Sequence, residues 1–364
     1  MADTIKIGNL DISAFKVGSD DCKVYLGDTL LYPQSTTPNY FRFVAREDGQ
    51  FKLSGNSVTY SLDSGTTWTS LASDTYSPTV SSGNCIMLKA TNPTLVSGGG
   101  IGKFISTGQF DVEGNIMSLV YGDDFETATT LSNNGQFRSL FDSNTNVINA
   151  SGLTLPSTNA PQDAYRSLFY NCTNLVTAPL EFPATTLGES CYKYAFRYCS
   201  SLTNVPTLPA TNISQSCYAN IFQGCTSLTS VPSNYLPATT VYQQCYSQMF
   251  QGCTNLTTAP ELPATTLADR CYRNMFYGCT SLTTAPVLSA TTLASQCYSS
   301  MFQGCTSLNS IKCLATDISA VACTTNWVNG VASSGTFTKV SSMSSWTTGY
   351  NGIPSNWTVE DYSS

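Results

Sequence analysis

The feature that most constrains the fold is a cysteine that returns about every 26 residues. One register holds Cys191, Cys217, Cys245, Cys271, Cys297 and Cys323, separated by 26, 28, 26, 26 and 26 residues. A second holds Cys172, Cys199, Cys225, Cys253, Cys279 and Cys305, separated by 27, 26, 28, 26 and 26. Such a period predicts a solenoid, in which each unit buries its apolar face only against the next. The 28-residue interval carries an extra Ser233-Asn234-Tyr235, expected to bulge from one coil.

One unit reads Cys271-Tyr-Arg-Asn-Met-Phe276-Tyr-Gly-Cys279-Thr-Ser-Leu282-Thr-Thr-Ala-Pro286-Val-Leu288. Cys271, Met275 and Cys279 lie at i, i+4 and i+8, which predicts a short helix or turn closed by the glycine before the second cysteine. A strand is expected over Leu282-Thr-Thr-Ala, ended by Pro286. The aromatic anchors Phe141, Phe169, Phe196, Phe222, Phe250, Phe276 and Phe302, with Val328 last, count out about eight coils. At a strand spacing of about 4.8 Å these give a rod on the order of 40 Å long.

Two ladders of residues admit two uses each. The cysteines fit stacked, buried free thiols, since a helical pair eight residues apart would be separated by about 12 Å, too far for a disulfide. Bridges or a metal site are the other reading, but the spacing matches no CxxC pair and the chain has no histidine. Tyr165, Tyr192, Tyr218, Tyr246, Tyr272 and Tyr298 either pack half-buried along the spine or form a stripe on which glycan rings stack. Tyr192, Tyr218, Tyr246, Tyr272 and Tyr298 are therefore the candidate ligand and adhesion surface.

Phe-x-Gly-Cys-Thr-Ser-Leu-Thr-x-x-Pro, at residues 222–232 and 276–286 and nearly at 250–260, resembles the BspA-like leucine-rich repeats of bacterial surface proteins. The resemblance covers a little over half the chain. It implies a right-handed α/β leucine-rich-repeat solenoid and adhesion to a protein or glycan, not catalysis.

The flanks divide the rest. Residues 36–135 alternate as in Tyr40-Phe-Arg-Phe-Val44 between Gly, Ser and Asn turns, predicting a β-sandwich-like domain. Within it Ser61-Leu-Asp63-Ser-Gly65-Thr-Thr-Trp68 resembles an Asp-box, a motif that shapes a hairpin turn. Gly98-Gly-Gly-Ile-Gly102 is followed by Lys103 and Phe104, so it lacks the Ser or Thr of a phosphate loop. Asn115–Asp124 resembles the junction that precedes such repeats in surface and phage proteins of gut Bacteroidetes. Residues 1–35 form a β unit too short to hold a core, which must pair with another surface. Val24-Tyr-Leu-Gly-Asp-Thr-Leu-Leu-Tyr32 is similar to N-terminal segments of virion proteins from phages of gut Bacteroidetes, including the crAss-like group. Val24, Tyr25, Leu26, Leu30, Leu31 and Tyr32 are the candidate virion-anchoring residues. The solenoid proper spans 136–331, and 332–364 reads as a short β cap that covers the last coil.

Composition narrows function. With charged residues at 11% and only 16 Lys and Arg, no basic stripe can track phosphates, so nucleic acid is not an expected partner. The absence of histidine removes the commonest general base and metal ligand, and no paired carboxylates are marked for glycoside hydrolysis. No catalytic residue, cofactor or metal is expected. The first ten residues lack a charged segment followed by an apolar run, and no stretch suits a membrane helix; synthesis and folding in a cytoplasm are expected. Together these features predict a bacteriophage virion fibre or decoration protein. It would be assembled in the host cytoplasm as a homotrimer, joined to capsid or tail proteins by its N-terminus, and would present repeats to a host surface glycan or protein. The alternative is an exported bacterial cell-surface adhesin with BspA-like repeats.

Overall fold

The computed structural model describes residues 38–362, together with the backbone of four short strands nearer the N-terminus. Those strands pair antiparallel, β1 (Lys6–Ile7) with β2 (Leu10–Asp11) and β3 (Val24–Leu26) with β4 (Thr29–Tyr32). The side chains of Val24, Tyr25, Leu26, Leu30, Leu31 and Tyr32 lie outside the described residues.

Residues 40–115 build the β region. Its strands are β5 (Arg42–Ala45), β6 (Phe51–Ser54), β7 (Val58–Ser61), β8 (Thr69–Leu71), β9 (Cys85–Lys89), β10 (Lys103–Ser106) and β11 (Phe110–Asn115). Alternate residues of β5, β6 and β11 are buried, as a pleated strand with one wet face requires. Their inward rings meet, with Phe43 at 4.7 Å from Phe51, 4.9 Å from Phe104 and 4.6 Å from Phe110 between centroids. The turn between β7 and β8 is shaped as the Asp-box predicts. The Asp63 carboxylate accepts hydrogen bonds from the Thr67 amide at 2.8 Å and the Thr67 hydroxyl at 2.6 Å, and Trp68 Nε1 donates to the Gly65 carbonyl at 3.0 Å. Helix is scarce: α1 (Ser118–Tyr121) runs into a 3-10 segment, Gly122–Thr127.

The β region does not end where the repeats begin. β12 (Val147–Thr154) adds to β11 in parallel, giving a six-stranded sheet ordered β12-β11-β5-β9-β7-β8 beside the β10–β6 pair. The Ile101 and Phe104 amides donate to the Gln136 and Leu140 carbonyls, and Phe141 stacks 5.8 Å from Phe104. The glycine-rich loop makes this close approach feasible. A Cβ on Gly100, at φ 144°, would sit 2.7 Å from the Arg138 carbonyl oxygen. The β region thus caps the first coil, covering carbonyls and rings that would otherwise face water.

The repeats depart from the expected α/β architecture: the Cys-to-Cys segment is not helical. Ser190, Tyr194 and Tyr198 adopt left-handed φ of 56°, 63° and 64°, and the same four-residue rhythm recurs at Arg270, Asn274 and Gly278 and at Gln296, Ser300 and Gly304. A left-handed residue every fourth position turns the chain into a run of tight turns. The hydrogen bonds show why this outcompetes a helix. The amides of Arg273, Met275, Tyr277 and Cys279 donate three residues back within the coil, whereas those of Tyr272, Asn274, Phe276 and Gly278 donate to Cys297, Ser299, Met301 and Gln303 of the next coil. An α-helix would spend every amide internally and leave nothing to bind the neighbouring coil. The expected strand is likewise reduced, over most coils, to a parallel bridge, as in Thr258 to Thr284 to Ser310.

Inside the coils, like stacks on like. The Phe anchors from Phe141 to Phe302 are fully buried and lie 4.9–5.8 Å apart between centroids, with rings within about 11° of parallel. Leu202, Leu228, Leu256, Leu282 and Leu308 form a second buried column. The insertion does not simply bulge. Ser233 and Asn234 are exposed, but Tyr235 turns inward, its ring 6.3 Å from Phe222 and its hydroxyl donating to the Pro206 carbonyl at 3.0 Å. Burying an aromatic ring with its polar tip satisfied wins over solvating it.

At the far end β13 (Ser310–Cys313), β14 (Thr336–Val340) and β15 (Thr358–Tyr362) continue the parallel column. Trp327 takes over the end of the Tyr ladder, 6.3 Å from Tyr298, and Trp346 stacks on it at 5.4 Å. Val328, beside it, is buried. Trp327 Nε1 is satisfied by the Gly352 carbonyl and Trp357 Nε1 by that of Ala332. These aromatics close the apolar end that a last coil would expose.

Candidate functional site

The turn segment of each coil sends alternate pairs of side chains in and out, so one stretch of sequence makes both core and surface. The tyrosine ladder is core. Tyr192, Tyr218, Tyr246, Tyr272 and Tyr298 are each 1–2% exposed, with centroids 5.8–6.2 Å apart along the stack, and Tyr165 continues it from Tyr192 at 5.3 Å. A ring with no free face cannot stack on a glycan, so these residues are not an adhesion surface; they are spine. The half-buried packing expected of them is corrected in the same sense. All but Tyr165, which follows the buried Ala164, directly follow a cysteine whose side chain points inward, and the left-handed residue before that cysteine swings both into the core.

The cysteines are free and, apart from the half-buried Cys85, buried among the described residues. The two registers differ in bonding. Cys172, Cys199, Cys225, Cys253, Cys279 and Cys305 each direct the thiol at the carbonyl of the Phe in the preceding coil, Phe141 through Phe276, at 3.0–3.1 Å. That carbonyl also accepts the amide three residues on, so its two lone pairs are both used. Burial pushes the thiols of Cys253, Cys271 and Cys305 up to about 12, which holds them protonated at neutral pH. A protonated, enclosed thiol is neither nucleophile nor metal ligand. No group of three or more His, Cys, Asp or Glu suited to a metal occurs among the described residues.

The β region carries an open depression of about 510 Å³ lined by Asn56, Thr59, Ser70, Lys89, Thr91 and Asp123 among others. Among the described residues Asp123 is the only carboxylate on its lining. It is held by Lys89 at 2.6 Å and by the Tyr40 hydroxyl, contacts that keep it below the usual carboxylate range, with the Lys89 bond the largest cause. Lys89 also lies 4.1 Å over the Trp68 ring. The cluster staples the Asp-box hairpin to the 3-10 segment, and its groups are spent on one another.

The outward side of the coils has two textures. On the return path exposed Thr-Thr pairs recur after a buried alanine: Thr185-Thr186, Thr239-Thr240, Thr265-Thr266 and Thr291-Thr292. They are tied in parallel register, as at Thr240 to Thr266, and make a polar, uncharged strip. On the turn side, the coils between residues 138 and 198 carry Arg166, Tyr170, Lys193, Tyr194, Arg197 and Tyr198. The Arg197 guanidinium sits 4.6, 5.1 and 5.9 Å from the rings of Tyr198, Tyr194 and Tyr170, and Lys193 lies 5.2 Å over Tyr194. Arg197 Nη2 donates to the Tyr198 hydroxyl at 2.8 Å. Sequence reasoning passed over this group because it followed the tyrosines that repeat. The signal lay in the tyrosines that do not: positions 194 and 198 hold Tyr where most other coils hold Ser, Asn or Gly.

A family model of the BspA type leucine rich repeat region matches residues 142–232 and 239–344, in six copies. Among solved structures, the crystal structure of a T. pallidum leucine rich repeat protein aligns at 16% identity with a TM-score of 0.28, covering 64% of this chain and 79% of that one. No curated protein sequence matches the chain.

Proposed function

We propose, from the premise that the chain belongs to the BspA-type leucine-rich-repeat family, that it is an adhesion protein whose coils display a stiff surface to a host-surface glycan or protein. The observation that carries the reading is the division of labour within each coil. Thiols, rings and backbone amides are consumed by coil-to-coil contacts, while Thr, Ser, Asn and Tyr remain outside on a surface of low charge. Such a scaffold binds without reorganising, so little affinity is lost to ordering it.

In the finer reading the protein is a virion fibre or decoration protein of a bacteriophage, about eight coils long and trimeric. It attaches to capsid or tail proteins through Val24, Tyr25, Leu26, Leu30, Leu31 and Tyr32. It acts outside the cell as a binder rather than an enzyme and needs no cofactor. Support comes from the similarity of residues 24–32 to phage virion segments and from their pairing as a short hairpin. Immunogold labelling of purified phage particles tests this. Label on particles from full-length protein, lost when residues 1–35 are removed, is the expected result. Label confined to a bacterial envelope would replace it with the exported-adhesin reading, and mass photometry showing only monomer would remove the trimer. Adhesion itself is read separately, as saturable binding of the labelled chain to host cells.

A further inference from the structure

We infer that Arg166, Lys193, Arg197, Tyr170, Tyr194 and Tyr198 form a binding site for a carboxylated saccharide. The inference rests on the adhesion reading and gives that surface a ligand class.

Charge supplies the first argument. Four of the 16 Lys and Arg of the chain, namely Arg138, Arg166, Lys193 and Arg197, fall on consecutive coils of one face. The positions equivalent to Lys193 in the next two coils are Ala219 and Ser247, and those equivalent to Arg197 are Gln223 and Gln251. Asp163 neutralises part of the group, at 3.7 Å from Arg138 and 3.2 Å from Arg166. Lys193 and Arg197 have no carboxylate partner among the described residues, and Arg197 Nε is buried without a hydrogen-bond acceptor. With Nε enclosed and Nη2 on the Tyr198 hydroxyl, the ring-held guanidinium offers a ligand its Nη1 edge, which suits a carboxylate oxygen.

The backbone supplies the second. Tyr194 and Tyr198 sit at φ 63° and 64°, a region bulky side chains avoid. The equivalent left-handed positions elsewhere hold Ser167, Asn220, Gln248, Asn274 and Ser300 for the first and Asn171, Gly224, Gly252, Gly278 and Gly304 for the second, none of them aromatic. The next coil also makes room for the second ring. A Cβ at Gly224 would fall 2.6 Å from Tyr198 Cδ1. Two strained tyrosines, seated on a neighbouring coil and ringed by cations, point from backbone cost to use.

The combination defines the ligand. Tyr198 is 38% exposed, and its ring meets that of Tyr170 edge-on at 5.9 Å, which leaves flat apolar area for the C–H face of a sugar and hydroxyls for its rim. Stacked rings of these coils repeat at 4.9–5.5 Å, close to the advance of one pyranose along a chain, so cations on successive coils meet acids on successive sugars.

The test grafts the next coil's own residues onto this one. Tyr194→Asn, Arg197→Gln and Tyr198→Gly together reproduce Asn220, Gln223 and Gly224. Binding of the full chain to polygalacturonate, dextran sulfate and neutral dextran is measured by biolayer interferometry, alongside thermal melting. The expected result is polygalacturonate binding that weakens in high salt and falls about tenfold or more in the graft, with a melting temperature equal to or above the parent's and with dextran not bound. Absence of polygalacturonate binding, unchanged affinity in the graft, equal binding of dextran, or binding of dextran sulfate alone would each overturn the inference. Host-cell adhesion on the same samples separates the two readings: a parent chain that adheres to cells yet ignores polygalacturonate loses this ligand class and keeps adhesion, whereas one that binds the polymer but no host cell loses the adhesion role.

Discussion

Phe250→Ala probes the stacked core where it is most regular. The ring is fully buried, 5.7 Å from Phe222 on one side and 5.8 Å from Phe276 on the other, with the Cys279 thiol on its carbonyl. Truncating a buried Phe costs about 3–5 kcal/mol through lost transfer energy and the cavity left behind. About 1–3 kcal/mol of that corresponds to two parallel ring contacts at about 0.5–1.5 each. Because each coil touches only its neighbours, the loss should also weaken coupling between the coils on either side. Urea unfolding followed by circular dichroism gives the total. Hydrogen exchange should show protection falling most at the amides of Phe222, Phe250 and Phe276, which bridge neighbouring coils. Tyr242→Ala, half exposed on the surface, is the control and should stay within about 0.5 kcal/mol. A loss below about 1 kcal/mol for Phe250→Ala, or one no larger than the control's, would refute the buried ladder.

The Tyr218 hydroxyl is buried without a hydrogen-bond partner, so Tyr218→Phe should raise stability by about 1 kcal/mol, seen as a higher melting temperature; a fall would show that the hydroxyl is bonded. Iodoacetamide at pH 8 should leave the thiols of Cys253, Cys271 and Cys305 unmodified in the folded chain and label them in denaturant, as read by peptide mass spectrometry, since burial holds them near 12. Asp63 is lowered to about 2, chiefly by the Thr67 hydroxyl and amide. A depressed carboxyl stabilises the fold above its unfolded value near 3.8 and stops doing so as pH falls through 2. Acid titration of Trp68 fluorescence should therefore show a transition in that window that Asp63→Asn abolishes, and an unchanged titration in the variant would count against the turn.

Much of this molecule was legible in its repeat. A period near 26 residues dictates stacking, because a unit that short cannot bury its apolar face alone, and the columns of Phe, Leu and Cys follow directly from register. The Asp-box was legible too, since its turn depends on hydrogen bonds within a few residues. Local spacing misled where backbone bonding is shared between coils. Cys271, Met275 and Cys279 share the inward face as a helix would place them, but the sequence does not reveal that every second amide serves the next coil and that left-handed residues turn the chain between. The same contacts decided which tyrosines are spine and which are surface. A tyrosine one step past an inward cysteine is drawn into the stack, whereas Tyr194 and Tyr198, at the turning positions, are pushed outward at a cost in backbone strain. Sequence fixes that like residues lie over like; only the packed coils determine which way each one faces.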